Sequence, residues 1–483
     1  MRWLALVAVA ACGSHGHAPD AAGTGDGADG SSASFPFKGH ATVRQLANDA
    51  SHLPAVSEGP FHTLAITAHL ADGSSTPVTV ASDGSFEGMT LVPIARLEVA
   101  SDVGPATDYE LGAPILELAV RQGSRYDRVA PAPNTALAFT ITSPASGNVR
   151  IVSTGVWTQS SKLPSASTTF NVDWSTAAGL LDAGKNDRVY YTVETGVSSP
   201  QYLALTSMCS ADVTMVQGMT TPVACTAAPV TQDQCTHVVA HVLDEATRVT
   251  AAAGPAFSTI AWDWTVAALP AEEFGATSPI VVAHFNAATA PAADVDRMVT
   301  YAQPFAGHAT TVAMTYARTR SYALGLLTAM QLRVATTHWV KPAADCTTPA
   351  DLTGTVALAT APVLDGVTLD SDSLALAFDA AHSHVVSWNV ASGTADHWLV
   401  RVQHVIDNAG VTDAEVTHSY LTTGTSVTLD PAIFTPGQHY FIDIQGAQFF
   451  PGAATGDLRT IGYPATPYAT SEVSSGVFVV DNG

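Results

Sequence analysis

Short segments in which apolar and polar residues alternate recur along this chain. Examples are Leu64–Leu70 (LAITAHL), Ala136–Thr142 (ALAFTIT) and Arg188–Glu194 (RVYYTVE). A period of two places alternate side chains on opposite faces of a β-strand, and Gly, Asp, Asn, Ser or Pro separate the segments. Helical patterns are nearly absent, with at most a turn or two predicted in Leu180–Asp187 and Ala292–Gln303. The sequence therefore predicts an all-β fold, a multi-domain chain of β-sandwiches or small barrels.

Length and composition limit the class of protein further. The chain has 483 residues, which is too many for a single hydrophobic core, so we expect several domains. Its 19 Lys and Arg residues against 42 Asp and Glu residues give a formal net charge of −23, which argues against nucleic acid as a partner. Only 13% of the residues are charged while 47% are hydrophobic, so Thr, Ser, Gly and Ala must cover much of the surface. This profile is typical of secreted β-proteins.

The first residues have the layout of an export signal. Arg2 precedes the apolar run Trp3–Ala11, which is too short to span a bilayer. The stretch Val9-Ala10-Ala11-Cys12 resembles the lipobox of bacterial lipoproteins, a family in which the signal is removed before the Cys and the Cys carries acyl chains. The resemblance implies a signal peptide over residues 1–11 and a lipidated Cys12. An ordinary signal peptide, cleaved nearby, is the alternative.

A low-complexity segment follows Cys12. Residues 13–34 are mainly Gly, Ser, Ala, Asp and His, with no aliphatic side chain larger than Ala. Such a segment buries too little apolar surface to offset the entropy of ordering, so we expect residues 12–34 to form a lipidated, flexible linker. The lipid and linker together imply a bacterial cell-envelope protein that is attached to a membrane, at the outer membrane or the cell surface.

Four cysteines remain once Cys12 is set aside. Cys209, Cys225, Cys235 and Cys346 form an even set, which in an oxidising compartment indicates two disulfides with three possible pairings. We favour Cys209–Cys225, because it closes a short local loop, and Cys235–Cys346, because these residues bracket one predicted domain.

The C-terminal part of the chain carries a resemblance to a known domain. Val385–Val405 and Ser426–Gln448 resemble the B–C and E–F regions of fibronectin type III domains. The resemblance implies an immunoglobulin-like β-sandwich over residues 349–483 with Trp388, Trp398 and Tyr440 in its core. A long region between strands C and E, and extra sequence after Gln448, depart from the family pattern.

The N-terminal body carries a second, shorter resemblance. Asp72-Gly73 and Asp83-Gly84 are hairpin turn signals between alternating segments. Val78–Pro93 resembles the carboxypeptidase-regulatory or transthyretin-like domains, in which a D-G-x-F turn joins two strands. The resemblance implies a small β-sandwich over residues 35–104.

Two β-rich domains, over residues 105–235 and 236–346, are expected between these ends, and they could equally form one unit. The chain as a whole resembles large β-rich lipoproteins of myxobacterium-like genomes, a group without an assigned activity.

One short stretch has the residue types of a metal site. His237 and His241 fall on one face of either a strand or a helix, and Cys235 precedes them. Imidazole and thiolate groups bind zinc or copper. However, Val238 stands where a zincin has its Glu, and Cys235 is also a disulfide candidate. The alternative is a strand with two half-exposed histidines.

No nucleophile elbow, Walker loop or dinucleotide fingerprint occurs in the sequence. This absence says little about catalysis, because β-sandwich hydrolases build their sites from dispersed loops. From the lipobox-like segment, the polar β-rich composition and the fibronectin-like terminal region, we expect a membrane-anchored surface lipoprotein without catalytic activity or cofactor. Its β-sandwich domains would bind a protein or glycan ligand or serve envelope structure. A secreted hydrolase or metalloprotein with a His-containing site is the alternative.

Overall fold

The structure is a computed structural model that describes residues 35–60, 65–100, 106–110, 115–120, 128–153, 157–161, 168–177, 179–197, 202–270, 280–286, 289–372, 374–378, 382–449 and 467–482. The predicted signal peptide, Cys12 and the linker lie outside these residues. Within the described ranges, strands in several sheets dominate and one α-helix is present, which confirms the all-β, sandwich-like fold. No helix in this part of the chain is long and apolar enough to cross a membrane.

The N-terminal segment consists of strands joined by short turns. These are β1 (Phe35–Asn48), β2 (Pro54–Pro60), β3 (Ile66–Leu70), β4 (Ser75–Val78), β5 (Ser85–Thr90), β6 (Ile94–Val99), β7 (Thr107–Glu110) and β8 (Ile115–Val120).

The next segment has the same character. Its strands are β9 (Ala136–Thr142), β10 (Asn148–Ser153), β11 (Trp157–Ser161), β12 (Thr169–Asp173), β13 (Arg188–Val197), β14 (Tyr202–Asp212), β15 (Thr220–Thr226), β16 (Ala228–Pro229) and β17 (Gln234–Ala240). A short 3-10 turn at Ala183–Lys185 lies within one of the two stretches predicted to hold a helical turn.

The third segment begins with the helix and continues with strands. It comprises α1 (Val242–Ala253), β18 (Thr259–Pro270), β19 (Ile280–Asn286), β20 (Val295–Tyr301), β21 (His308–Tyr322), β22 (Met330–Val340) and β23 (Pro349–Leu352).

The C-terminal segment is again built from strands. These are β24 (Ala359–Leu364), β25 (Val367–Thr368), β26 (Leu374–Phe378), β27 (His384–Val390), β28 (His397–Asn408), β29 (Val411–Thr422), β30 (Ser426–Leu429), β31 (His439–Gln448), β32 (Tyr468–Ser474) and β33 (Phe478–Asn482). A 3-10 turn at Pro431–Ile433 separates β30 from β31.

Hydrogen-bonded pairing joins strands from all four segments into one long series. Its order is β11-β10-β13-β14-β19-β18-β21-β22-β32-β31-β28-β29-β7-β6-β3-β4. The pairs β14–β19, β22–β32 and β29–β7 each join strands on different sides of a predicted domain boundary. The boundaries themselves stay a prediction.

The C-terminal segment forms a two-layer arrangement around a shared core. The sheet β25-β24-β27-β30 contributes Trp388, and strands β28 and β31 contribute Trp398 and Tyr440. All three side chains are buried, and the two tryptophan rings meet edge to face at 5.6 Å. Tyr440 Oη accepts a hydrogen bond from the Thr435 amide at 2.9 Å, which holds the corner before β31. The resemblance to fibronectin type III domains stays a prediction.

The apolar core of the N-terminal strands is continuous with the C-terminal segment. Leu97 and Tyr109 from β6 and β7 are buried in the same cluster as Leu399 and Leu421 from β28 and β29. This packing accompanies the parallel pairing of β29 with β7.

One disulfide lies within the second segment, and another joins the second segment to the third. Cys209–Cys225 joins β14 to β15, and Cys235–Cys346 joins β17 to the residues before β23, with Cα–Cα distances of 5.9 and 5.4 Å. This is the pairing that the sequence favours.

The helix α1 is the main departure from the predicted element types. Sequence patterns predicted helical turns in Ala292–Gln303, where the structure has strand β20, and none in Val242–Ala253. The buried positions of α1 follow helical spacing, but they include the charged Glu245 and the small Ala253 beside Val242 and Val249. Because a carboxylate occupies one of the buried positions, these residues do not show the apolar periodicity that predicts a helix.

Candidate functional site

A row of charged and amide side chains crosses one face of the long strand series. It consists of Arg333 on β22, Glu472 on β32, Asp443 and Gln445 on β31, and Arg401 on β28. We call this set the polar row. Cross-strand register brings its members together, since Gln445 lies opposite Glu472 and Asp443 lies opposite Arg401.

The alternation of β31 explains why these groups share a face. Ile442 and Ile444 are buried in the main hydrophobic core, and Asp443 lies between them in the sequence. Successive side chains on a strand point to opposite faces, so Asp443 and Gln445 stand on the face away from that core.

The polar row is held by a set of direct contacts. Arg401 contacts Asp443 through Nη1 and Oδ2 at 3.3 Å and donates from Nη2 to Gln445 Oε1 at 3.1 Å. Arg333 Nε lies 3.2 Å from Glu472 Oε2. A guanidinium group binds planar acceptors through several parallel N–H groups, which fixes the geometry of the row.

The members of the row differ in burial. The side chains of Arg333, Glu472 and Arg401 are 31%, 26% and 16% exposed, whereas that of Asp443 is 2% exposed. Among the described residues, Asp443 Oδ1 accepts no hydrogen bond. The row is therefore a partly open surface with one buried carboxyl at its base.

Burial also changes the acidity of this carboxyl. Removal from water and the neighbouring charge of Glu472 raise the pKa of Asp443 to about 7, although Arg401 and Arg333 act in the opposite direction. The raised pKa favours the protonated form of Asp443, which can donate as well as accept a hydrogen bond.

A second carboxyl lies on the same face, on β18. Asp263 is opposite Thr315 of β21, which is opposite Thr337 of β22. Burial raises the pKa of Asp263 to about 6, and Arg333 opposes the shift. The Thr315 and Thr337 hydroxyls are 3.1 Å apart. The hydroxylated side chains of Thr315 and Thr337 therefore lie on the same sheet face as the polar row.

This arrangement suits a ligand with several hydroxyl or amide groups. Arg401 and Gln445 provide donors, Glu472 provides an acceptor, and Asp443 can act as either. Strands on a central part of a sheet hold side chains more rigidly than loops do, so little order is lost when a ligand binds.

The structure places the predicted histidine pair elsewhere, with His237 in the middle of β17 and His241 directly before α1. His237 Nε2 is 2.6 Å from Asp296 Oδ1, and this hydrogen bond raises the pKa of His237. His241 precedes α1, and its Nε2 is 3.1 Å from Asp351 Oδ1. Cys235 is in a disulfide, so it offers no thiolate. Each imidazole thus has its own carboxylate partner, and metal binding by the pair stays a prediction.

Sequence reasoning identified none of the polar row. A signal was nevertheless present, because Asp443 interrupts the apolar run Tyr440–Ile444 in a segment that resembles a strand. A charged residue on the non-core face of such a strand needs partners from neighbouring strands. The register that supplies Arg401, Glu472 and Arg333 joins residues up to 139 positions apart, and it is not visible in the sequence.

Comparison with known proteins adds no relative. No family model matches this chain, and no curated protein matches it.

Proposed function

We propose that this protein is a lipid-anchored bacterial envelope protein that binds a glycan through the polar row, without catalysing a reaction. The observation that carries the binding part is the set of contacts among Arg401, Asp443 and Gln445 on a partly exposed sheet face. The anchor part rests on the lipobox-like Val9–Cys12 and the linker that follows it.

A glycan is the ligand class that fits this chemistry. Sugars present closely spaced hydroxyl pairs, and each pair can bridge a donor and an acceptor on neighbouring planar side chains. The polar row offers such pairs at Arg401–Gln445 and Arg333–Glu472. Threonine hydroxyls on the adjoining strands add further partners of the same kind.

One observation favours a second candidate, glycoside hydrolysis. Glycosidases use two carboxyl groups, one of which stays protonated near neutral pH because its pKa is raised. Asp443 has a raised pKa and Glu472 contributes to the shift. In that case Asp443 would donate the proton and Glu472 would act as base or nucleophile.

Titration calorimetry of the full-length protein in detergent tests the binding proposal. The probes are soluble peptidoglycan fragments and the core oligosaccharide of lipopolysaccharide, which are glycans of the proposed location. We expect at least one probe to bind, and Gln445→Ala to weaken binding about two- to tenfold through loss of one neutral contact. His237→Ala is the control, because its side chain lies in an unrelated ion pair.

Two outcomes would contradict the proposal. Neither probe binding, or Gln445→Ala binding as tightly as the wild type, would remove the polar row as a glycan site. Release of new reducing ends that stops in Asp443→Asn would favour the hydrolase.

The anchor is tested separately by mass spectrometry of the native N-terminal peptide. We expect an acylated Cys12 at the mature N-terminus, and release of Cys12→Ser from the membrane fraction. An unmodified N-terminus elsewhere would indicate a freely secreted protein.

A further inference from the structure

We propose that His69, Glu98 and Asp108 form a binding site for a divalent transition-metal ion of the zinc class. These residues stand on three neighbouring strands, β3, β6 and β7. The pairing of these strands brings one imidazole nitrogen and two carboxylate oxygens within 4.8 Å of one another. The site is distinct from the polar row and from the His237–His241 pair.

The donor set matches the chemistry of such an ion. Zinc in proteins is bound by imidazole nitrogen and carboxylate oxygen at about 2.0–2.2 Å, which places neighbouring ligand atoms about 3.4 Å apart. In the structure His69 Nε2 is 2.9 Å from Glu98 Oε2, where the two share a hydrogen bond. Exchange of that proton for a metal ion requires only a small separation of the two side chains.

Among the described residues, one carboxylate oxygen of Asp108 has no hydrogen-bond donor. Its side chain is fully buried, and Oδ2 lies 2.8 Å from Arg96 Nε and 3.0 Å from His418 Nε2. Oδ1 is also buried, and it accepts no hydrogen bond from the described residues. A buried carboxylate oxygen without a partner is destabilising, and a coordinated cation would compensate for the lost hydration.

The local charge count points to a divalent cation. Glu98, Asp108 and Asp430 provide three carboxylates, and Arg96 provides one guanidinium that contacts both aspartates. These four charged groups together carry two excess negative charges. A divalent ion balances that charge within the partly buried setting, where screening by water is weak.

His418 supplies a supporting contact from the far end of the chain. It lies on β29, 310 residues after Asp108, and its Nε2 is within hydrogen-bond distance of Asp108 Oδ2. Groups that hydrogen-bond a ligating carboxylate orient it and change metal affinity, typically by 10–100-fold. An ion at this site would therefore strengthen the junction between β7 and β29, where Thr107–Tyr109 pair with Ser419–Leu421.

The test is a zinc titration of the full-length protein after removal of metal with a chelator. We expect saturable binding at one ion per chain, and a rise in unfolding temperature with added zinc because the ion binds only the folded state. His69→Ala and Glu98→Gln should each weaken binding at least about tenfold. Cobalt(II) absorption bands that require His69 would show ligation directly.

His237→Ala serves as the matched control, since it removes an imidazole hydrogen-bonded to a carboxylate at 2.6 Å in another part of the fold. Binding should be unchanged in this variant. Glu98→Gln retains the shape of the side chain and its ability to bond His69, so it remains informative if His69→Ala does not fold. Absence of saturable binding in the wild type, or wild-type affinity in Glu98→Gln, would overturn the proposal.

Discussion

At the residue scale, the two Asp–Gly turns of the N-terminal segment look equivalent but have different surroundings. Gly73 and Gly84 both have φ of +86°, a conformation that L-residues rarely adopt. In each turn the preceding Asp accepts hydrogen bonds from the backbone and hydroxyl of a Ser two residues later. A Cβ atom at Gly73 would meet open space, whereas one at Gly84 would overlap the backbone carbonyl oxygen of Ala41.

We therefore expect Gly84→Ala to lower the free energy of unfolding more than Gly73→Ala. Backbone strain alone should account for about 1 kcal/mol in Gly73→Ala, while the added overlap should bring Gly84→Ala to about 2 kcal/mol or more. Equilibrium denaturation of the two variants measures the difference. Equal losses would mean that β1 does not approach this turn as closely as the structure has it.

The acidity of Asp443 produces a second prediction at this scale. Its pKa in the folded state, raised to about 7, lies above the value of about 3.9 in an unfolded chain. Such a group contributes stability below the unfolded pKa and loses that contribution as pH rises through the folded pKa. Asp263, whose pKa is raised to about 6, acts in the same direction.

Stability should therefore fall between about pH 4 and pH 7, by roughly 1.4 kcal/mol for each unit of raised pKa. Asp443→Asn keeps the shape of the side chain and removes its titration, so its stability curve should be flatter over this range. Denaturation midpoints measured at half-unit steps of pH test this. A wild-type curve that rises across the same range would contradict the assignment.

At the scale of elements, α1 is attached to the sheet by a buried charge. Glu245 accepts hydrogen bonds at 2.6 Å from both Arg248 and Thr336, and it lies 3.4 Å from His338. Burial opposes its ionisation, but the hydrogen bond and charge of His338, the charge of Arg248 and the Thr336 hydroxyl lower the pKa of Glu245 to about 2. A Cβ atom at Gly354 would overlap the Glu245 carboxylate, so a residue without a side chain is needed at position 354.

Glu245→Gln should lower the free energy of unfolding by about 3–5 kcal/mol, because it leaves Arg248 near a buried site without its counter-charge. Asp244→Asn is the control, since Asp244 is exposed and adjacent in the same helical turn. Wild-type stability should also fall as pH drops from about 4.5 towards 2, and this acid loss should shrink in Glu245→Gln. Similar stabilities of the two variants would show that α1 is held by its apolar side chains alone.

At the scale of the whole molecule, the disulfides constrain very different lengths of chain. Cys209–Cys225 spans 16 residues and Cys235–Cys346 spans 111. In the chain-entropy description, closing a longer loop removes more freedom from the unfolded state, with about 3 kcal/mol for a loop of about 15 residues and about 4.7 kcal/mol for about 100.

The double variant Cys235→Ser/Cys346→Ser should therefore lose about 1–2 kcal/mol more stability than Cys209→Ser/Cys225→Ser. Denaturant unfolding of both double variants in oxidising buffer provides the comparison. A greater loss from the shorter loop would mean that local packing around β14 and β15 outweighs the effect on the unfolded chain.

Features that depend on neighbouring residues can be predicted from the amino-acid sequence alone. Alternation in Ala136–Thr142 matches the burial of β9, and the Asp–Gly turns lie where glycine adopts positive φ. The burial of Trp388 also agrees with its place in an alternating segment. These features follow from the steric period of a strand and the conformational freedom of glycine, which act within a few residues.

The pairing of the strands, in contrast, is known only from the three-dimensional fold. The pairing of β7 with β29 joins residues more than 300 positions apart, and it creates the contact between Asp108 and His418. The polar row likewise requires β22, β31 and β32 to lie side by side. Many alternating segments have similar patterns, so local preference does not select among their pairings. The choice depends on which arrangement buries the apolar faces together and leaves charged groups such as Asp443 beside their partners.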